Sequence, residues 1–318
     1  MLEKPVLLLV FDRPGLTQRV FDEIRHVRPS KLYVAGDGPR NPLHLQRGAI
    51  QEARQIATSV DWDCDVHTLF RDKNLGCKMA VSTAIDWFFG QEDEGIVLED
   101  DCLPNQSFFR YCDELLDRFR DEERVMCISG DNFQQGNSVT SDSYYFSKYN
   151  HCWGWATWRR AWLQYDPVII NRPGFDIHSV LEGFSDGSDA FIQYWEAIFE
   201  KVTTGEINSW AYYWTLSCWI NNGLTCIPDK NLVMNIGFGR HATHTRDEDK
   251  LAELDAHEIS FPLIHPDTIV RNISADRYTD VNCFGIQGDL PDNDMIATMW
   301  KRQTATYISR FLKKLKLV

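Results

Sequence analysis

The stretch "EGIVLEDDCLPNQSFF" (Glu94 to Phe109) runs from apolar residues straight into three carboxylates, Glu99, Asp100 and Asp101, then a proline and two phenylalanines. A short apolar run bounded by charged and turn residues reads as a buried strand. Three anions at its end repel one another unless a cation or strong donors compensate. The segment is therefore either a solvated acidic turn or a strand end that holds a cation, and its neighbours decide between the two.

Upstream, "PVLLLVF", "KLYVAGD" and "CDVHTLF" read as three further strands, and "GLTQRVFDEIRHV", "LQRGAIQEARQIATSV" and "CKMAVSTAIDWFFGQ" carry apolar residues at helical spacing between them. Strand and helix in alternation predict an α/β fold, with a mostly parallel central sheet flanked by helices on both faces. Ligands bind such sheets beyond the carboxyl ends of the strands. Asp12 and Arg13 follow the first strand, Asp37 the second, and Glu99 to Asp101 the fourth. That placement favours the cation-binding reading.

A hydrophobic content of 43% with 13% aromatic residues is ample for a core in 318 residues. The net charge of −13 argues against non-specific nucleic-acid binding, which needs a basic surface. Any phosphorylated ligand then requires a metal or a few placed cations. No Gly-x-Gly-x-x-Gly follows the first strand and no Walker-type Gly-Lys-Ser/Thr occurs, which weakens dinucleotide and P-loop readings. The nine cysteines form no CxxC pair and read as buried thiols of a reducing compartment. The apolar run in "MLEKPVLLLVFDRP" is short for a signal peptide or a membrane span. These features give the expectation of a cytoplasmic protein.

From Asp131 the chain turns aromatic and irregular, with "YYFSKYNHCWGWATWRRAW" and "NSWAYYWTLSCWINNG" holding most of the tryptophans. No Pro/Gly/Ser linker divides it from the first part, so residues 1–130 and 131–250 read as two halves of one domain, and 251–318 as a C-terminal extension. At the end, Ile308, Phe311, Leu312 and Leu315 share one helical face while Arg310, Lys313, Lys314 and Lys316 take other positions. Such a basic amphipathic helix suits either docking on its own domain or peripheral contact with an anionic membrane surface.

The pieces "VFDRPGLTQRVFDEIRHVRPSKLYVAGD", "FRDKNLGCKMAVSTAIDWFF", "GIVLEDDCLPNQSFFRYCDELLDRF" and "WGWATWRRAW" resemble the GT-A glycosyltransferases, specifically a bacterial hemolysin-like group related to N-acetylglucosaminyltransferase I. The resemblance runs from about Pro5 to His244 and rests on several motifs in the same order. It implies a GT-A-like (Rossmann-like) sheet with a nucleotide-sugar-binding first half and an acceptor-binding second half. It also implies a divalent-metal-dependent transfer of a sugar, from a nucleoside diphosphate donor such as a UDP-sugar, to a hydroxyl of a cell-envelope glycan or glycolipid; the basic C-terminal helix separately allows a peripheral place at the inner face of the membrane.

By that resemblance the acidic triplet is the DxD-type motif, with Asp101 on Mn2+ or Mg2+ and Glu99 and Asp100 facing the donor sugar and ribose. Hard carboxylate oxygens suit such a cation, which leaves positions for phosphate oxygens. Arg13 and Asp37 carry over to the nucleobase and ribose side, Lys78 to the diphosphate, and His244 in "GFGRHATHT", ahead of His241, to the metal. Each has an ordinary alternative: strand-end capping for Arg13 and Asp37, an exposed helix lysine for Lys78, a solvated loop histidine for His244. Trp155, Trp158 and Trp210 fit an acceptor wall, since indoles cover the C–H faces of sugars, and are equally ordinary core material.

One position departs from the pattern. An inverting transferase needs a general base for the acceptor hydroxyl, and the resemblance implies an Asp directly after a Trp. "NSWAYYW" has Ala211 there. Four explanations stand open: an engineered inactivating substitution; another base, with Asp131 in "SGDNF" foremost; a retaining reaction; or a sugar-nucleotide-binding protein without turnover.

Overall fold

The computed structural model of this protein describes residues 1–40, 44–237 and 254–287. Strand β1 (Val6–Val10) is apolar and buried at every position, as a strand covered on both faces must be. It pairs in parallel with β2 (Lys31–Gly36) on one side and β4 (Glu94–Glu99) on the other, and β3 (Asp65–Phe70) continues the sheet beyond β2. The half-exposed β3 forms the edge.

The crossovers explain the faces. Helix α1 (Pro14–Val27) starts with a proline at its first turn and buries Thr17, Val20, Phe21 and Ile24 at helical spacing. With Ala57 of α2 (His44–Ala57) it packs on one face of the sheet. Helix α3 (Gly76–Phe89) returns the chain past β1 to β4 and lays Val81, Ala84, Ile85, Phe88 and Phe89 on the opposite face. The winding therefore reverses between β1 and β4, and their carboxyl ends flank the crevice where such sheets bind ligands.

The aromatic half extends the same sheet. After β5 (Cys102–Pro104) and α4 (Gln106–Arg118), capped by the Asn105 side chain, come β6 (Val125–Ser129), β7 (Tyr144–Ser147) and β8 (Trp155–Trp158). Short α5 (Arg159–Trp162) and α6 (Ile177–Glu182) lead to α7 (Asp189–Thr204), α8 (Ala211–Ile220), β9 (Leu224–Pro228) and β10 (Val233–Asn235). Among the described residues the strand order is β3-β2-β1-β4-β8-β6-β9-β7. Only β8 and β7 run against the others, so the sheet is mostly parallel as expected. The carboxyl ends of β1, β2, β4, β6 and β9 share one edge.

Tyr149, Trp195 and Trp219 anchor a third, aromatic cluster with Phe184, Phe191 and Phe199. Residues 254–287 return to the body through α9 (Ile273–Asn282), capped by Asn272, and Phe146 bridges Arg271 beyond β7. The C-terminal amphipathic helix expected around residues 308–316 lies outside the described residues. Among the described residues, no helix is long and apolar enough to cross a membrane. No disulfide joins any of the nine cysteines; Cys102, Cys112, Cys127, Cys218 and Cys226 are buried and the others partly so.

Candidate active site

The crevice between β1 and β4 is built around Arg13. Its backbone caps α1, accepting from Leu16 N–H and Thr17 N–H at 3.1 and 2.9 Å. Its guanidinium reaches across to the acidic triplet: Nη2 donates to Asp100 Oδ1 at 2.5 Å and Nη1 to Asp101 Oδ2 at 2.7 Å. The fork supplies the cation that three adjacent carboxylates demand. Burial alone would lower the Arg13 pKa, but Asp100 and Asp101 outweigh it and hold the group above its ordinary value.

The three carboxylates sit in different surroundings. Asp100, 2% exposed, also accepts from Phe11 N–H at 3.0 Å and so ties the end of β4 to the end of β1. Burial pushes its pKa up, while Arg13 and the Phe11 amide favour the charged form. Two donors on an enclosed carboxylate leave it no face toward a ribose, which corrects the expectation for Asp100. Glu99 takes no hydrogen bond from Arg13: burial, then Asp101 and Asp100, push its pKa up to about 8, and the Arg13 charge offsets only part of that. Burial and mutual repulsion thus favour one shared proton on Glu99 and Asp100 rather than full ionisation of the triplet. Asp101 is 17% exposed, and Arg13 27%, at the mouth of the crevice.

The β10–β5 ribbon closes over that mouth. Ile236 N–H donates to Asp101 C=O at 2.8 Å, and Gly237 N–H to Asn235 Oδ1 at 2.8 Å. A Cβ at Gly237 would lie 2.3 Å from Asp101 Oδ2, so only glycine lets the backbone come this close to the carboxylate. His241 and His244 lie a few residues further on, outside the described residues.

Among the described residues no three His, Cys, Asp or Glu side chains gather as a metal-ligand set. A hard divalent cation held by a single carboxylate would complete its shell with water and phosphate oxygens. The Arg13 guanidinium is the cation that already stands against Asp101 Oδ2.

Other expected residues have different tasks. Asp37 spends both oxygens on backbone: it accepts from Gly38 N–H at 2.8 Å, from Leu75 N–H at 3.0 Å and from Gly76 N–H at 3.1 Å. It caps α3 from outside, which corrects a ribose role. Lys78 places Nζ 4.1 Å from the Tyr213 ring centre. Trp155 and Trp210 stack at 5.5 Å within the core, and buried Trp158 donates to Leu116 C=O at 3.1 Å. None of the three presents a face to a sugar, so the acceptor wall is not theirs.

Asp131 follows β6 and is fully enclosed. Its Oδ2 accepts from Trp153 N–H at 2.9 Å while Oδ1 is buried without a partner. Burial pushes its pKa up to about 8 despite the Trp153 amide. Ala211 opens α8 and packs partly buried in the apolar cluster that also takes Cys77 and Cys152. Both thiols sense the charge of Glu99, and the Lys78 ammonium over the Tyr213 ring sets the start of α8 beside the start of α3. A methyl group there can neither take nor give a proton.

Sequence reasoning missed Arg40. Its guanidinium stands 5.0 Å from the Phe11 ring centre, and its charge is felt at Cys77, so it is a second cation at this edge. The signal was a lone arginine in the Gly/Pro loop "GDGPRNP" beyond β2. Also missed was a polar cleft of about 970 Å³ at the carboxyl ends of β6 and β9, lined by Asn132, Gln135, Asp229, Lys230, Asn231 and His257.

No protein-family model matches the sequence, and no curated protein matches it. Among solved structures, UDP-glucose pyrophosphorylase complexed with UDP-glucose aligns at 12% identity and a TM-score of 0.27, covering 46% of this chain and 62% of that one. Its apo form aligns at 9% and 0.26, covering 46% and 63%. The chain thus spans less than two thirds of the structures it matches, and likenesses this slight carry no argument about fold or function.

Proposed function

We propose that this protein is a divalent-metal-dependent glycosyltransferase. It would move a sugar from a nucleoside diphosphate donor, UDP-linked, to a hydroxyl of a glycan or glycolipid of the cell envelope. The observation that carries the reading is the winding reversal between β1 and β4, which sets Arg13 against Asp100 and Asp101 at one crevice. The resemblance of the strand-end motifs to GT-A transferases points the same way.

In this reading Asp101 holds the metal, and Arg13 and Arg40 take the anionic oxygens of the diphosphate. The bound cation supplies Lewis-acid stabilisation of charge on the departing nucleoside diphosphate. Asp37 fixes the start of α3 beside the crevice. Glu99 faces the donor sugar, where its carboxyl can hydrogen-bond a sugar hydroxyl. The polar cleft beyond β6 and β9 suits a polyhydroxylated acceptor, since its amides and charged groups can donate and accept. Asp131, one residue from that cleft, is the base we assign to the acceptor hydroxyl: unlike Asp100 it keeps an unpartnered oxygen, Oδ1, which must be uncovered when the acceptor enters, and its raised pKa suits proton transfer near neutrality.

Calorimetry with UDP and Mn2+, followed by donor-hydrolysis and transfer assays, tests the reading. Mn2+-dependent UDP binding with turnover supports it, and no Mn2+-dependent UDP binding overturns it. A second reading is a sugar-nucleotide-binding protein without turnover, favoured by one observation: Ala211 offers only a methyl group at the position where the resemblance implies a base. Binding without hydrolysis or transfer would select it.

A further inference from the structure

Arg13 raises a question that the sugar-nucleotide reading leaves open. Its guanidinium already fills the place against Asp101 that an incoming cation would need. Asp101 has little else to offer: Oδ2 is pressed between Arg13 and the Gly237 backbone, and Oδ1 lies 3.5 Å from Cys102 Sγ. Asp100 cannot substitute, because it is enclosed and bonded to Arg13 and Phe11 N–H. A free divalent cation must therefore break a charge-assisted fork and leave Arg13 facing a second positive charge.

An anionic diphosphate changes that balance. Guanidinium pairs in a planar fork with phosphate as well as with carboxylate, so phosphate oxygens offer Arg13 an equivalent partner. The Arg13 backbone is pinned as the cap of α1 by Leu16 and Thr17, while its side chain is partly exposed. Different nitrogens hold the two carboxylates, so Nη1 can exchange Asp101 for a phosphate oxygen while Nη2 stays on buried Asp100.

We propose that Arg13 is a built-in counter-cation that keeps Asp101 from binding a free divalent ion and releases it only when an anionic nucleoside diphosphate draws the guanidinium away. Metal and nucleotide then bind cooperatively, because each removes an obstacle to the other, and by linkage the coupling is reciprocal. This inference rests on the sugar-nucleotide reading of the site, and the experiment separates the two.

Free Mn2+ is followed by its electron paramagnetic resonance signal, with and without UDP, on the full chain and on Arg13→Gln and Arg13→Lys variants whose folding is checked by thermal melting. For the unaltered chain, UDP should raise Mn2+ affinity at least tenfold. Arg13→Gln should bind Mn2+ alone at least tenfold more tightly than the unaltered chain, and UDP should then add less than threefold. Arg13→Lys keeps the charge but not the fork and should fall between, with at least a threefold gain for Mn2+ alone. It carries the test if Arg13→Gln does not fold. Equal Mn2+ affinity and equal UDP coupling in all the folded proteins would overturn the inference while leaving the transferase reading in place. No Mn2+ binding by any of them, even with UDP, would overturn both.

Discussion

Two ionic clusters in this protein use the same chemistry to opposite ends. At the crevice, Arg13 holds Asp100 and Asp101, and its side chain is 27% exposed. Beyond β7, Lys148 and Arg271 hold Asp186, Asp276 and Asp280 with almost no exposure. Lys148 Nζ donates to Asp280 at 3.1 Å and to Phe184 C=O at 3.2 Å, and Arg271 donates to Asp186. The buried cluster fastens residues 254–287 to the sheet and has no opening through which a ligand could compete. The crevice cluster is closed on one side and open on the other. Openness, not the count of charges, separates the two clusters.

The comparison is most directly sharpened at the open edge, where a proton acceptor is missing. Ala211→Asp would place a carboxylate in the first turn of α8, where the helix dipole favours negative charge. If the base belongs there, transfer should rise by about 10² to 10⁴-fold, the usual worth of general-base catalysis. An unchanged rate removes position 211 from the mechanism.

Next in size is the closed cluster. Arg271→Met leaves Asp186 and Asp276 buried without their cation, and should cost about 3 to 5 kcal/mol in urea unfolding while UDP affinity with Mn2+ holds. A loss below about 1 kcal/mol would mean the cluster is not a fastening at all. Asp101→Asn should do the reverse: the UDP affinity gained from Mn2+ falls by about 1.5 to 3 kcal/mol, the worth of a charge-assisted contact, with stability changed by less than about 1 kcal/mol. Loss of stability with binding intact would place Asp101 with the architecture.

The smallest effect concerns pH. Burial holds the Asp131 pKa at about 8, above the ordinary carboxylate range, so between the two values the folded state binds more protons than the unfolded. Its contribution is therefore present below the unfolded pKa and lost as pH rises through about 8. Urea unfolding at pH 6 and pH 8.5 should show a loss of about 1 to 3 kcal/mol that Asp131→Asn removes. An identical slope in the variant would show that Asp131 does not titrate with folding.

The elements of the first third were legible because alternation of apolar strands and amphipathic helices is a local pattern. Val6–Val10 and Pro14–Val27 announce themselves by spacing alone. The rule that ligands gather at strand carboxyl ends then located Arg13 and Asp101 without knowledge of their partners. The tryptophans failed because burial is not local: Trp155 reads the same whether it faces a sugar or stacks on Trp210, and only the packing of β8 against α8 decides. Asp37 failed for a related reason, since Leu75 and Gly76, the donors that saturate it, are distant in sequence.

By itself, then, the sequence determined the α/β class, the strand-end position of the acidic triplet and the absence of a carboxylate at position 211, because each is a matter of residue type and spacing. Tertiary structure decided what compensates Glu99, Asp100 and Asp101. The guanidinium of Arg13, the amide of Phe11 and the bare backbone of Gly237 reach them across the winding reversal, where residues far apart in the chain come within hydrogen-bond distance. Electrostatic compensation depends on distance in space, and no spacing along a sequence encodes it.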